Sequence, residues 1–139
     1  MGNIESVLKL ERILFEKIAF NRTGMKNNKE TEFSIRIQIG KIKENFSKVT
    51  LILLGHKEKE YDLEVALSGF FSFRLDEETL EKEEEEMLLN KNAVAILMPY
   101  LRSEVTLLTA QPEMDCVVLP PFNINRMMDQ NNHNEIKTT

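Results

Sequence analysis

The residue types that most often perform catalysis are few in this chain and far apart in its sequence. Its histidines are His56 and His133, and its single cysteine is Cys116. His56 lies among charged residues in a predicted turn and His133 in a polar segment, so we expect both to be solvated. Cys116 has no disulfide partner in the chain, and we expect it to be a small buried hydrophobic residue. Because no base accompanies the thiol in sequence, nothing here indicates nucleophilic catalysis.

Metal and phosphate sites are not indicated either. Four successive acids at 83–86 lie in a predicted helix, where successive side chains point around the axis and do not converge on a cation. The cysteine and histidine spacing of zinc sites is missing. The five glycines are scattered and form no phosphate-binding loop. We therefore predict that the chain is not an enzyme and holds no metal or cofactor.

Length and composition favour one domain spanning residues 1–139, with 42% apolar residues. A net charge of −5 argues against non-specific binding to nucleic acid. No apolar run approaches the roughly 18 residues of a membrane span, so we expect no membrane insertion. The N-terminus lacks the pattern of a secretion signal, which favours a cytoplasmic location. Residues 131–139 are polar, and we predict that they are disordered.

Four segments read as strands. Residues 33–39 and 61–73 alternate with period two between an apolar row and a more polar row. Residues 8–20 and 49–54 are apolar on both rows, and such a strand needs a cover on each face. Polar links of hairpin length join the four segments, which predicts an antiparallel meander.

A helical pattern follows the strands. Acids at 76–78 begin it, and Asn92 is expected to cap a second helix. Pro99 interrupts the second run and predicts a kink. The apolar stripe of this run is expected to form the core or a contact between subunits; it comprises Leu97, Leu101, Val105 and Leu108, together with Val94. The predicted fold class is α+β, with a long kinked C-terminal helix packed on one face of the sheet.

Two interpretations of the apolar surplus remain open at this point. It is either core and subunit interface, or a surface that receives extended polypeptide. The residues that we assign to the second interpretation are Phe15, Phe20, Phe33, Phe122, Ile124, Met127 and Met128.

Four segments resemble SecB, the bacterial protein-export chaperone. Residues 9–20 resemble its first strand, with Arg12-Ile13 followed five residues later by Ile-x-Phe, and residues 64–73 resemble its fourth strand. Residues 95–104 resemble its Asn-Ile-Leu-Phe-Pro-Tyr-Ala-Arg-Glu helix, sharing Pro99-Tyr100-x-Arg102. Residues 119–124 resemble its Leu-x-Pro-Val-Asn-Phe connector. The four matches occur in the right order along most of the chain.

The resemblance implies a homotetramer, built as a dimer of dimers with the long helices at its centre. It also implies passive, ATP-independent holding of unfolded preproteins in apolar grooves and their delivery to the motor ATPase SecA. The positions that match the family's SecA-docking patch are Lys17, Asn21, Asp62 and Glu64. Lys17 and Asn21 replace acids and Asp62 replaces a leucine, so the docking patch is partly altered.

These departures leave two alternatives beside general export. One is a SecB-like chaperone dedicated to a single client, such as the antitoxin of a toxin–antitoxin pair. The other is a non-catalytic oligomeric adaptor that has kept the fold and lost client binding.

Overall fold

The predicted α+β architecture, an antiparallel sheet with a C-terminal helix, is confirmed. A computed structural model describes residues 8–73, 82–120 and 136–138. Its elements in chain order are β1 (Leu8–Arg22), β2 (Glu32–Lys43), β3 (Phe46–Lys57), β4 (Tyr61–Phe73), α1 (Lys82–Leu88), a π-helical turn (Leu89–Ala93), α2 (Val94–Thr109) and β5 (Ile136–Thr138). No helix in these ranges has both the length and the apolar character of a membrane span.

The strand order differs from the predicted meander. The sheet runs β1-β4-β3-β2-β5, and each neighbouring pair is antiparallel. Strands β2, β3 and β4 are joined by short hairpin turns in which Asn45 and Lys59 adopt φ of 60°. Residues 23–31 instead carry the chain from β1 across the sheet end to β2. The length of this loop allows the crossing, because a tight turn would have forced β1 beside β2.

Two irregularities in β1 overturn the expectation that this strand is apolar on both faces. Its pairing with β4 shifts between Leu10 and Arg12 and again between Phe15 and Lys17. Each extra residue reverses the alternation of side chains. As a result, the apolar residues of β1 at both even and odd positions lie on one face of the sheet. Under a strict period of two they would be divided between the two faces. These residues are Leu8, Leu10, Ile13, Phe15, Ile18 and Phe20.

The helical region lies against this same face, which we call the core face. The apolar stripe of α2 is buried, and its members include Val94, Leu97, Met98, Leu101 and Val105. At Gly69 the helix approaches the sheet so closely that a Cβ would lie 2.7 Å from Leu97 Cδ2. A larger residue at position 69 would therefore force the side chains of Leu97 and Phe71 to shift.

The helix is continuous where a break was predicted. Residues 82–109 run through α1, the π turn and α2, and Ala93 precedes α2 with helical dihedral angles and no side-chain cap. The prediction that Asn92 caps a separate helix is therefore wrong. Pro99 lies inside α2. A proline has no N–H to donate, so the usual helical hydrogen bond from residue 99 to the carbonyl of Ala95 is not formed.

Three residues of the segment for which disorder was predicted form a short strand. Ile136–Thr138 pair with Phe33, Ser34 and Ile35 at the outer edge of β2. The other residues of 131–139 lie outside the described ranges.

A buried ion pair fixes the loop that carries the chain from β1 to β2. Glu60 is fully buried, and its carboxylate accepts hydrogen bonds from Lys57 Nζ at 2.8 Å and from the N–H of Asn27 at 2.9 Å. The carbonyl of Glu60 accepts the N–H groups of Thr23 and Gly24. Gly24 is required here, because a Cβ would lie 2.2 Å from the carbonyl oxygen of Lys59. The β3–β4 turn and the crossing loop are thus one hydrogen-bonded unit.

We expect the Glu60 carboxylate to make stability depend on pH. Burial alone would raise the pKa of Glu60, but the hydrogen bonds from Lys57 and Asn27 outweigh it and hold the pKa below 4.5. The contribution is therefore present above about pH 4.5 and is lost as pH falls through the lower folded-state pKa. Glu60→Gln should cost roughly 3 kcal/mol near neutral pH, because the buried ammonium of Lys57 loses its opposite charge and keeps only neutral acceptors such as the carbonyl of Asn27.

Thermal unfolding followed by circular dichroism between about pH 3 and pH 7 measures this effect. The matched control is Glu58→Gln in the same turn, because Glu58 is exposed and pairs with Lys29 at the surface. Equal destabilisation by the two substitutions would contradict the role given to Glu60.

Candidate functional site

A groove of about 540 Å³ lies along the side of α2 that is not buried against the sheet. One wall is the helix and the other is the connector, residues 110–120. The lining residues are Pro99, Arg102, Ser103, Thr106, Leu107 and Val118. Leu107 and Val118 are 67% and 66% exposed. Apolar side chains so open to water on both walls favour an apolar ligand, since its binding would remove them from solvent.

Threonines near the end of α2 hold the connector in place. Thr109 is buried, and its hydroxyl donates to the carbonyl of Val105 at 2.9 Å while accepting the N–H of Val117 at 2.8 Å. The hydroxyl of Thr106 donates to the carbonyl of Val117 at 3.1 Å. The two walls of the groove are therefore fixed relative to one another before any ligand arrives.

The far side of the connector is attached to the crossing loop. Arg22 donates from Nε to the carbonyl of Gly24 and from Nη2 to the carbonyl of Glu113, each at 2.9 Å. Lys26 pairs with Asp115 at 3.0 Å, and this hydrogen bond raises the pKa of Lys26. The connector is thus held from both sides.

Arg102, which lines the groove, has one N–H group without a hydrogen-bond partner. Arg102 Nε is buried and finds no acceptor among the described residues. A buried donor without an acceptor costs free energy, and a ligand oxygen would remove that cost once the Arg102 side chain turns its Nε toward the groove. An apolar groove with one unmet donor matches an extended polypeptide, which offers apolar side chains and backbone carbonyls together.

A second apolar surface lies at the edge of the sheet. Phe15, Ile18 and Phe20 share the core face of β1 but remain partly exposed, and Phe20 stacks on Tyr61 with ring centroids 5.4 Å apart. The outer edge of β1 pairs with no strand in the part of the chain that the structure describes. Phe15 and Phe20, both predicted to contact polypeptide, therefore lie next to open backbone groups.

The other residues predicted to contact polypeptide lie elsewhere. Phe33 is only 6% exposed, and its ring packs where a Cβ on Gly55 would lie 2.9 Å away. Phe33 is therefore a core residue in this chain, because the alternation of β2 places it on the core face. Residues Phe122, Ile124, Met127 and Met128 lie outside the described ranges.

The apolar stripe of α2 takes the first of the two roles predicted for it, that of core. Leu97, Leu101 and Val105 are fully buried within their own chain, and Leu108 packs against the same core while partly exposed. The stripe therefore holds α2 on its own sheet, and a subunit contact at these residues stays a prediction.

The four positions matched to the SecA-docking patch lie together on the outer face of the sheet, the face that α2 does not cover. Lys17, Asn21, Asp62 and Glu64 lie on the neighbouring strands β1 and β4. Lys17 Nζ lies 3.0 Å from Glu64 Oε1. His56 Nδ1 lies 2.5 Å from Asp62 Oδ1, and this hydrogen bond raises the pKa of His56. Both acids of the patch are therefore paired within the chain.

No group of three His, Cys, Asp or Glu side chains in the described ranges is placed to hold a metal ion. Cys116 is exposed, so the expectation that it is buried is wrong; its Sγ lies 3.6 Å from the carbonyl oxygen of Thr106. The thiol lies on the connector, which runs over the surface of the protein.

Comparison with solved structures shows a shared fold. The chain superposes on the SecB-like chaperone Rv1957 of Mycobacterium tuberculosis with a TM-score of 0.72, covering 86% of this chain and 91% of that one, at 12% sequence identity. That structure holds Rv1957 in complex with a ChAD peptide from the antitoxin HigA1, Rv1956. A protein of unknown function from Streptococcus agalactiae matches with a TM-score of 0.47 at 15% identity, over 82% of this chain and 97% of that one.

Sequence comparison adds one curated relative. An uncharacterised protein of Methanocaldococcus jannaschii, MJ0357, is 38% identical over 66 residues, which is 48% of this chain and 40% of MJ0357. The match therefore spans less than half of that relative's length. No family model matches the chain.

Sequence reasoning missed the residues that line the groove. Neither Leu107 nor Val118 is among the residues that the sequence pattern assigns to a binding surface. The signal was present, since Leu107 is apolar yet lies off the stripe formed by Leu97, Leu101 and Val105. Arg102 entered only through the resemblance.

We expect substitutions in the groove to weaken binding of an apolar reporter without unfolding the protein. Leu107→Ser and Val118→Ser each remove an exposed apolar side chain worth about 1.5 kcal/mol or more when covered by a ligand, which corresponds to roughly tenfold weaker binding. Titration with anilinonaphthalene sulfonate measures the change. Ile42→Ser is the control, because Ile42 is also an exposed aliphatic residue, 51% exposed, at the end of β2. An equal loss in the control would mean that the dye does not report on the groove.

Proposed function

We propose that this chain is an ATP-independent holding chaperone that binds segments of unfolded polypeptides. The observation that carries the proposal is the groove between α2 and the connector, where Leu107 and Val118 are exposed beside the unpaired Nε of Arg102. Apolar walls accommodate many side chains, and one N–H group can donate to any backbone carbonyl. Such a site favours polypeptide in general and discriminates weakly between sequences.

The edge of β1 offers a second way to bind polypeptide. An extended segment placed beside β1 would receive backbone hydrogen bonds that do not depend on its sequence. The partly exposed Phe15, Ile18 and Phe20 would contact its alternate side chains. The same edge is also open to β1 of another subunit, so assembly and client binding would compete for it unless each uses a different part.

The comparison with Rv1957 supports a polypeptide ligand. That protein shares the fold at 12% identity, and its structure holds a peptide from an antitoxin. We propose that this chain likewise binds polypeptide clients, in the cytoplasm, as a homotetramer formed by two dimers. Four chains of 16.2 kDa give about 65 kDa.

Delivery to SecA is the finer part of the proposal. The docking positions are contiguous on the outer face, but Lys17 neutralises Glu64 and His56 pairs with Asp62. A basic motor segment would have to displace these pairs. This observation favours a second candidate function, a chaperone dedicated to one client such as an antitoxin, for which SecA binding is not needed.

Holding activity is tested by mixing the protein with an unfolded, slow-folding preprotein and recording light scattering. We expect suppression of aggregation at about one tetramer per client without ATP, because the site binds passively. Leu107→Ser should require several-fold more protein for the same suppression, whereas Ile42→Ser should match the unaltered chain. Normal aggregation in the presence of the unaltered protein would exclude the holding function and favour an adaptor.

Calorimetric titration with the C-terminal segment of SecA separates general export from a dedicated role. We expect weak but measurable binding, and tighter binding by Lys17→Glu, because this substitution releases Glu64 and adds a further acid to the patch. Lys91→Glu, an exposed helical lysine, controls for the change in net charge. If neither the unaltered chain nor Lys17→Glu binds the segment, the dedicated role is the better description.

A further inference from the structure

The outer face of the sheet has a strongly uneven distribution of charge. Paired residues form rows across the four long strands. Six cations and two carboxylates lie on this face between two of these rows, the row Lys9–Ser72–Phe46 and the row Lys17–Ala66–Ile52–Arg36. The cations are Lys9, Arg12, Lys17, Arg36, Lys43 and Lys48, and the carboxylates are Glu11 and Glu16. We call this part of the face the basic end. The rows beyond it carry the acids Glu32, Asp62 and Glu64.

The basic end stands out because the whole chain is acidic, with a net charge of −5. Some of its cations are neutralised locally, since Lys48 pairs with Glu16 at 3.1 Å and Lys17 with Glu64 at 3.0 Å. Arg12, Arg36 and Lys43 take part in none of the salt bridges found within the described ranges. These three positive charges remain available to a partner.

Two stacked phenylalanines hold part of the basic end in position. The rings of Phe46 and Phe70 lie 6.3 Å apart, centroid to centroid, with an interplanar angle of 22°. The guanidinium of Arg12 lies 4.3 Å from the centroid of Phe70, and Lys43 Nζ lies 5.5 Å from that of Phe46. Phe70 is only 7% exposed although it lies on the outer face. Cations placed in this way lose little freedom on binding, which lowers the cost of docking an anionic group.

The geometry points to the basic end as a docking surface for an acidic, extended segment of a partner protein. Arg12 lies on β1, while Arg36 and Lys43 lie on β2 at the opposite side of the sheet, with β4 and β3 between them. With strands about 4.8 Å apart and about 3.3 Å per residue, the distance from Arg12 to Arg36 is roughly 20 Å. An extended peptide of about six residues spans that distance. Acids near its two ends would reach Arg12 and Arg36 together.

An acidic peptide fits this surface better than nucleic acid does. The stacking and the covering cations leave the ring faces of Phe46 and Phe70 closed to bases, which need an open aromatic face. Glu11 and Glu16 lie within the basic end and would repel a continuous run of phosphates. A peptide with spaced acids avoids them. The inference is independent of the groove on the other side of the sheet.

The test is fluorescence anisotropy with a labelled decapeptide of alternating Glu and Ser at low and at physiological ionic strength. We expect saturable binding that weakens as salt is added. Arg36→Glu with Lys43→Glu should weaken binding at least tenfold, and Arg36→Gln with Lys43→Gln should weaken it by less. The matched control, Lys59→Glu with Lys91→Glu, makes the same change in net charge at exposed positions outside the basic end and should change binding less than twofold.

Three results would overturn the inference. One is no binding of the acidic peptide by a protein whose circular dichroism shows it folded. Another is an equal loss in the basic-end and control variants, which would mean that net charge alone attracts the peptide. The third is tighter, equally variant-sensitive binding of a thymidine decanucleotide or of phosphatidylserine vesicles, which would assign the surface to nucleic acid or to membrane. A decapeptide of alternating Lys and Ser should not bind to the basic end.

Discussion

The strand order of the sheet depends on the crossing loop, and the buried ion pair and hydrogen bonds of Glu60 hold this loop in place. A crossing loop carries the chain from one side of the sheet to the other, and its backbone needs partners wherever it leaves solvent. Glu60 supplies these partners, since its side chain accepts the N–H of Asn27 and its carbonyl accepts the N–H groups of Thr23 and Gly24. The ion pair with Lys57 holds the carboxylate in place. The loop in turn positions Arg22 and Lys26, which hold the connector. A buried charge in a turn therefore supports one wall of the groove at some distance from it.

The sequence indicates the elements of this fold better than it indicates their arrangement. The period-two pattern of 61–73 and the stripe of α2 predict β4 and the buried helix face, because those residues obey one regular spacing. In β1 the spacing is interrupted twice, so apolar residues at even and odd positions share one face. A strict alternation then gives a false second apolar face. Neither irregularity is marked by a glycine or a proline, and only pairing with β4 reveals it.

The same holds for the functional surfaces, whose residues the sequence contains but does not bring together. Apolar residues at helical spacing, such as Leu101, attract attention in a sequence because they are regular, but regular spacing is the property of core residues. Leu107 and Val118 come together only because Thr106 and Thr109 bind the connector to α2. The Nε of Arg102 has no acceptor among the residues that the structure describes, and a missing partner leaves no sequence signal. The resemblance to SecB compensates in part, since it places Arg102 in a matched segment.

The two faces of the sheet lead to different kinds of partner. The core side offers an apolar groove and open strand backbone, which suit a chain whose sequence varies. The outer face offers fixed charges on a rigid sheet, and fixed charges discriminate because a misplaced partner group leaves them unpaired. The sheet separates the edge of β1 from the outer face, and α2 and the sheet together separate the groove from it, so one surface could be occupied without blocking the other. A protein that holds variable clients on one side can thereby recognise one defined partner on the other. On the outer face, Lys17 and Glu64 neutralise each other within the chain, so a partner meets only the remaining charges.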